Sequence, residues 1–381
     1  MAGKTKQMDG DSAEMKWEQK GVTSVSLVDG VFTEGDSVTA AALKAASGSE
    51  KPRVLIVADA NVVQRTEGLG SRIGRYAQAN AIALAAPPIV LAAGEKLKCD
   101  NMQSVTKICE TALKADLAVN DVIIALGGGS LLDTAGFAAT QIRGGVKLVR
   151  IPTTTAAMVD GAFATTAAIN LCGIKNAVCV PSHAAAAIID TNFTKTVMDG
   201  VWRGGFSDIV RHAAVRDATL LKRLSSAATS LGERDYDLMR DMIRLTVASR
   251  ISRGDSDFSL WCAHRLSAMS GYKLPHGYAV AIAICIDCAY AVERGILKEG
   301  EQELICRTLA DCGALDGLAH SQHLLAQADS VLKGLDEWRL ATGSEARTLP
   351  VGAGKGKTED APSRDAYRKV ISEFLAAYAG E

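Results

Sequence analysis

Asp208 and His212 lie four residues apart in GGFSDIVRHAAV, so on a helix they share one face. His264 in WCAHRLSAMSG and His276 in YKLPHGYAV bring two more imidazoles from separate segments. One carboxylate with three imidazoles suits a divalent metal. The competing use for each histidine is to cap a helix or fill a polar gap. Of six histidines in the chain, three fall here, near small and glycine residues, while His183, His320 and His323 stand apart. That clustering is what sets a shared task against three separate structural ones.

A second group handles anions. Residues 122–137 read VIIALGGGSLLDTAGF. An apolar run meets Gly127, Gly128 and Gly129, and Ser130 sits where a helix N-cap is expected. Leu131, Leu132, Ala135 and Phe137 follow at helical spacing. Strand, tight turn and helix together bring backbone N–H groups and a helix N-terminus to a phosphate. Asp133 is expected in the first turn, within reach of a ligand. The stretch is neither G-x-G-x-x-G nor a Walker loop, and a tight connection is its plainer use. Lys175, Asn176, Lys195, Arg211 and Arg253 lie on both sides of the expected domain boundary. A cleft lined by them suits a phosphorylated or carboxylated small substrate.

These groups need elements to hold them. The 381 residues, 48% of them hydrophobic, are enough for two domains with their own cores. Residues 54–58 (VLIVA) form a short apolar run, as in a buried parallel strand, and end in Asp59-Ala60-Asn61. Residues 88–93 lead into Gly94-Glu95-Lys96-Leu97-Lys98, and 146–151 into Pro152-Thr153-Thr154-Thr155. Residues 22–31 alternate like a strand or hairpin. Strands alternating with helices over 22–185 predict an α/β domain with a parallel sheet and a nucleotide at its carboxyl edge. From 186 to 381 the apolar spacing becomes helical, over 206–224, 238–251, 260–269, 279–292, 303–312 and 366–378, which predicts an all-helical domain. Residues 343–363 are rich in glycine, proline and charge and are expected to form a long loop. Residues 1–21 are expected to form a loose tail.

A net charge of −1 argues against nucleic acid and anionic membrane as partners. No apolar run approaches the ~20 residues of a membrane span. Nine scattered cysteines suggest reduced, buried thiols in a cytoplasmic protein. Cys285 and Cys288 form a C-x-x-C inside an apolar helical run, expected as core packing.

The series GGGSLLDTAGFAAT, IPTTTAAMVDGA, INLCGIKNAV, GGFSDIVRH and HRLSAMSGYKLPHGYAVAIA resembles dehydroquinate synthase and the wider sugar phosphate cyclase group. That group is related in fold to glycerol dehydrogenase and iron-containing alcohol dehydrogenases. The resemblance implies an NAD-binding α/β domain followed by an all-α domain, and a homodimer. NAD would lie against Asp59, Asn61, Glu95, Lys98, Gly127, Gly128, Gly129, Asp133, Thr153 and Thr154, with Lys195 on a segment closing over it. It implies a carbon–oxygen lyase that eliminates phosphate from a phosphorylated sugar, with NAD reduced and reoxidised in each turnover. A divalent metal (zinc, cobalt or iron) would polarise the reacting oxygen. Asp160, Lys175, Asn176, Arg253, His264 and His276 match family site positions.

The departures concern the metal and the substrate. The family's first ligand histidine falls on Leu260, its lysine after Asp160 on Thr166, and its arginine after the glycine-loop helix on Gly144. The usual glutamate is Asp208, and Tyr278 follows the last His-Gly. Two outcomes are open. In one, Asp208, His212 and His276 hold the metal and His264 serves as acid/base, since Asp-x-x-x-His resembles the metal motif of iron-containing alcohol dehydrogenases. In the other, only nucleotide affinity survives. The first is the expectation; a plain NAD-dependent alcohol or polyol dehydrogenase is its rival.

Overall fold

Seven parallel strands form the frame. The structure, a computed structural model, describes residues 21–92 and 94–378; the expected tail lies almost wholly outside them. The strands are β1 (Ser24–Val28), β2 (Arg53–Asp59), β3 (Ala83–Leu84), β4 (Ile89–Leu91), β5 (Val122–Gly127), β6 (Lys147–Pro152) and, later, β9 (Ala186–Asp190). Their order is β1-β9-β6-β5-β2-β3, with β4 also on β2, and every pairing is parallel. Between them run α1 (Ser37–Ser47), α2 (Ala60–Arg65), α3 (Leu69–Ala79), α4 (Gln103–Lys114), α5 (Gly129–Gln141) and α6 (Thr155–Val159). Val54, Ile56 and Ala58 of β2 enter one core, and Leu55 and Val57 the other, as a two-residue period requires. The sheet includes β9, so it continues past the boundary expected at residue 185.

An antiparallel hairpin, β7 (Thr166–Leu171) and β8 (Ile174–Pro181), stands off this sheet. Cys172 and Gly173 join its strands with φ of 52° and 72°, the left-handed pair of a two-residue hairpin turn. Cys172 and Cys179 are exposed on it, contrary to the expectation of buried thiols. Cys285 and Cys288 are buried in the core as expected, and all nine cysteines are free.

The helical half comprises α7 (Asp199–Arg216), α8 (Ala218–Gly232), α9 (Tyr236–Arg253), α10 (Leu260–Met269), α11 (His276–Glu293), α12 (Glu299–Asp311), α13 (Gln322–Leu325), α14 (Ala328–Thr342) and α15 (Arg364–Tyr378). The run expected as one helix over 206–224 breaks at Asp217, whose side chain caps α8 through Thr219 and Leu220 N–H. The expected loop over 343–363 contains a second hairpin, β10 (Arg347–Gly352) with β11 (Lys355–Glu359). Its sequence lacks apolar alternation. Packing holds it instead: Leu349 is fully buried, and Thr348 N–H donates to Asp257 at 3.1 Å.

One hydrophobic cluster runs from the β2 face through Met158 and Val159 of α6 into Phe206, Ile209 and the core of α11. The two halves therefore share a core rather than owning one each. α11 is long and apolar enough to cross a membrane by those measures alone, with mean hydropathy 1.3, but 72% of that window is buried inside the protein.

Candidate active site

The carboxyl ends of β2, β5 and β6 deliver Asp59, Gly127 and the Thr153-Thr154 pair to one edge of the sheet. Asp59 caps α2 by accepting from Asn61 N–H at 2.8 Å, and burial raises its pKa. Thr153 is buried and its N–H donates to Gly127 O at 3.0 Å; Thr154 caps α6. The glycine bend is tight for different reasons at each position. A Cβ on Gly127 would lie 2.9 Å from Leu131 Cβ and 3.1 Å from Asp59 Cβ, and one on Gly128 3.3 Å from Thr154 Cγ2, whereas one on Gly129 would meet nothing within 4 Å. The bend is closed behind and open in front. Gly128, not Ser130, is the N-cap of α5, because the helix starts one residue after it. Asp133 consequently falls beyond the first turn.

Ser130 has another task. Its hydroxyl donates to Glu95 Oε2 at 2.8 Å. Glu95 opens a short 3-10 helix over Glu95–Cys99 that also carries Lys98. Glu95 Oε1 accepts from Asn170 Nδ2 at 2.9 Å and from Lys175, and Lys98 Nζ donates to Asp133 Oδ2 and Asn176 Oδ1, both at 2.5 Å. A register shift in β7 between Ile169 and Leu171 turns Asn170 toward this group, and its Oδ1 accepts Asn176 N–H at 2.8 Å. Both lysines are almost fully buried. Burial alone would raise the Glu95 carboxyl, but Lys175 and Lys98 outweigh it and hold the group well below the usual range. Burial lowers the pKa of Lys175, whereas Asp133 and Glu95 overcome burial at Lys98 and raise it. Asn170 is not singled out by the sequence, and Ser130 is expected there only as a helix cap. The only hint was two asparagines flanking a Cys-Gly turn.

The helical half supplies the opposite wall. α7 and α11 cross at Gly204 and Gly277, where a Cβ on Gly277 would sit 2.0 Å from Gly204 O. Gly205 also packs closely on Thr155 of α6, with 2.6 Å from its hypothetical Cβ to Thr155 Cβ. Asp208 lies one turn after Gly204 and His276 immediately before Gly277. The crossing thus sets His276 Nε2 3.6 Å from Asp208 Oδ2. Asp208 is 1% exposed. Arg211 Nε donates to its Oδ1 at 3.2 Å, while Oδ2 has no hydrogen-bond partner. Burial would raise the Asp208 carboxyl; His276 and Arg211 outweigh it and keep it low.

His264, on α10, joins the two walls. Its pKa is pushed well below the usual value by burial first, then by Lys175, His276 and Lys98, so the ring is neutral near pH 7.

Asp160 stands at the mouth. Its Oδ1 receives Arg211 at 2.8 Å and Arg250 at 3.1 Å. Arg250 also pairs with Asp255 at 2.8 Å. Arg253, expected here, is half-exposed and points to Asp217 at 3.4 Å. The two arginines are three residues apart on α9, and Arg250 is the one turned inward.

His212 does not join Asp208 and His276. Its Nε2 lies 2.9 Å from Ser249 Oγ, which donates to Asp217 Oδ2 at 2.7 Å. No group of three or more His, Cys, Asp or Glu side chains able to hold a metal forms among the described residues. Helical spacing put His212 on the Asp208 face, but α9 claims the ring. Burial, with Arg250 and Arg211 nearby, lowers its pKa to about 4. The folded-state pKa lies below the unfolded value near 6.5, so this group's stabilisation is complete above pH 6.5 and fades as pH falls from there toward 4. We expect His212→Asn to flatten that part of the pH–stability curve in thermal melts while leaving Co2+ affinity unchanged. Lys195, also expected at the cofactor, is exposed and donates to Asn192 Oδ1 at 2.8 Å, on the 3-10 helix Thr191–Thr196 after β9.

The family patterns described as 3-dehydroquinate synthase N-terminal and C-terminal match residues 88–203 and 205–329. The chain belongs to the 3-dehydroquinate synthase family. It is 26% identical over 346 residues to a 3-dehydroquinate synthase of Rhodopseudomonas palustris, covering 84% of this chain and 88% of that one. Among the solved structures that share its fold are two synthases. One is 2-epi-5-epi-valiolone synthase from Streptomyces hygroscopicus subsp. jinggangensis, with NAD+ and Zn2+ bound, at TM-score 0.83 and 22% identity over 96% and 99% of the chains. The other is 2-deoxy-scyllo-inosose synthase complexed with carbaglucose-6-phosphate, NAD+ and Co2+, at TM-score 0.74 and 18% identity over 97% and 99%. As a family member, the chain has the expected architecture: a parallel-sheet α/β half followed by a helical half.

Proposed function

We propose that this 3-dehydroquinate synthase family member is an NAD-dependent, metal-assisted carbon–oxygen lyase that eliminates phosphate from a phosphorylated sugar and closes a carbocycle. The observation that carries it is the Asp208–His276 pair, 3.6 Å apart, with Asp208 Oδ2 buried and without a hydrogen-bond partner. The open front of the Gly127-Gly128-Gly129 bend fits a dinucleotide pyrophosphate, with Asp59, Asn61, Thr153 and Thr154 along the same edge. The unpartnered, buried Asp208 Oδ2 facing His276 fits a divalent cation. Asp208 and His276 would hold it. When bound, NAD supplies reversible hydride acceptance at a substrate hydroxyl and the cation supplies polarisation of that oxygen.

The protein's own groups do the rest. Neutral His264 is free to accept a proton from a substrate hydroxyl and return it. Lys175, its pKa depressed by burial and its ammonium held by Glu95, would donate hydrogen bonds to substrate oxygens. Asp160 and Asn176 position the polar substrate. We place the working protein in the cytoplasm as a homodimer, which size-exclusion with light scattering would check.

One observation favours a second reading. The four cleft cations Lys98, Lys175, Arg211 and Arg250 are all paired with carboxylates, and Thr166 and Gly144 add none. An uncharged polyol would suit such a lining better than a phosphate, which would make the protein an NAD-dependent dehydrogenase. Incubation with NAD and, in parallel samples, sugar phosphates or uncharged polyols decides. Phosphate release without net NADH supports the lyase; NADH formed in step with a polyol's oxidation replaces it with the dehydrogenase.

The glycine bend offers a separate check. We expect Gly129→Val to melt within about 1 kcal/mol of wild type, since its side chain enters open space. Its affinity for NAD, measured by calorimetry, should fall at least tenfold.

A further inference from the structure

Resting on that reading of Asp208, we infer that Arg211 is a resident counter-cation that occupies the Asp208 carboxylate and weakens divalent metal binding there. Arg211 is 1% exposed and cannot swing out without breaking its ion pairs with Asp160 and Asp208. Three partners hold it: Asp208 Oδ1 at 3.2 Å, Asp160 Oδ1 at 2.8 Å and the Ser256 carbonyl. The guanidinium is always charged. A divalent ion on Asp208 Oδ2 therefore shares one carboxylate with a fixed positive charge a few ångströms away. The protein offers that ion only the remaining oxygen and the His276 imidazole, because His212 is bound to Ser249 and no third acidic, histidine or cysteine side chain completes the group among the described residues. Such a site holds metal loosely and leaves most coordination positions to water and to substrate oxygens.

The test is Co2+ titration of the chelator-stripped full chain, followed by visible absorption and calorimetry, with no activity needed. Arg211→Gln should bind Co2+ at least tenfold more tightly than wild type, Arg211→Lys should fall between them, and Asp208→Asn and His276→Gln should lose the signal. Circular dichroism confirms folding; if Arg211→Gln does not fold, Arg211→Lys decides. Equal affinity in wild type and both arginine variants, with Asp208→Asn still blind to Co2+, overturns this inference alone. Undiminished binding in Asp208→Asn overturns the metal assignment on which it rests.

Discussion

Gly277→Ala should abolish Co2+ binding and cost about 3 kcal/mol or more of stability in denaturant titration. The added methyl would lie 2.0 Å from Gly204 O, 2.3 Å from its C and 2.5 Å from its Cα. These are backbone atoms, so no rotamer change relieves the overlap. α7 and α11 must separate, and α7 is also gripped by Thr155 against Gly205. Moving either helix pulls Asp208 from His276, whose 3.6 Å spacing depends on the crossing. Gly300→Ala, at a helical glycine with nothing within 4 Å of its hypothetical Cβ, is the control and should change neither measurement. Normal Co2+ affinity in Gly277→Ala would show that the crossing does not set the pair.

The second large effect concerns Glu95. Glu95→Gln should destabilise the fold by about 3–5 kcal/mol, the range for removing one partner of a buried ion pair. Lys175 and Lys98 would be left at 6% and 3% side-chain exposure with Asp133 as the one carboxylate beside them among the described residues. The pH dependence has a definite sign. The folded-state pKa of Glu95 lies well below its unfolded value near 4.5, so its contribution is complete above pH 4.5 and is lost as pH falls through the folded value. Acid unfolding of wild type should therefore be steeper below pH 4.5 than that of Glu95→Gln. Parallel curves would mean that the lysines find other partners.

How far these features could be read in advance depended on their range. The strands at 54–58 and 122–126 are legible because a parallel strand buried on both faces must be apolar throughout. The hairpins were not. β7–β8 turns on Cys172-Gly173, a weak signal, and β10–β11 is held by contacts with α7 and Asp257 that no local pattern encodes. At the site, Lys98 donates to Asp133 and Asn176, and Lys175 to Glu95. His212 and Arg253 lie away from their expected places, and the cause is the same for both. Helical spacing tells which residues share a face but not which neighbour that face meets. Ser249 is 37 residues from His212, and Asp160 is 90 residues before Arg250; only packing reveals either pairing.

The pairing of Ser24 with Ala186 and of Val28 with Asp190 bears on how the molecule is made. The first strand emerges from the ribosome about 160 residues before its partner, so β2, β5 and β6 can zip together while β1 waits as an unclaimed edge. Serines at 24 and 26 interrupt its apolar residues and make it a poor template for a neighbouring nascent chain. β9, which lies between β1 and β6, is the strand that joins this edge to the rest of the sheet.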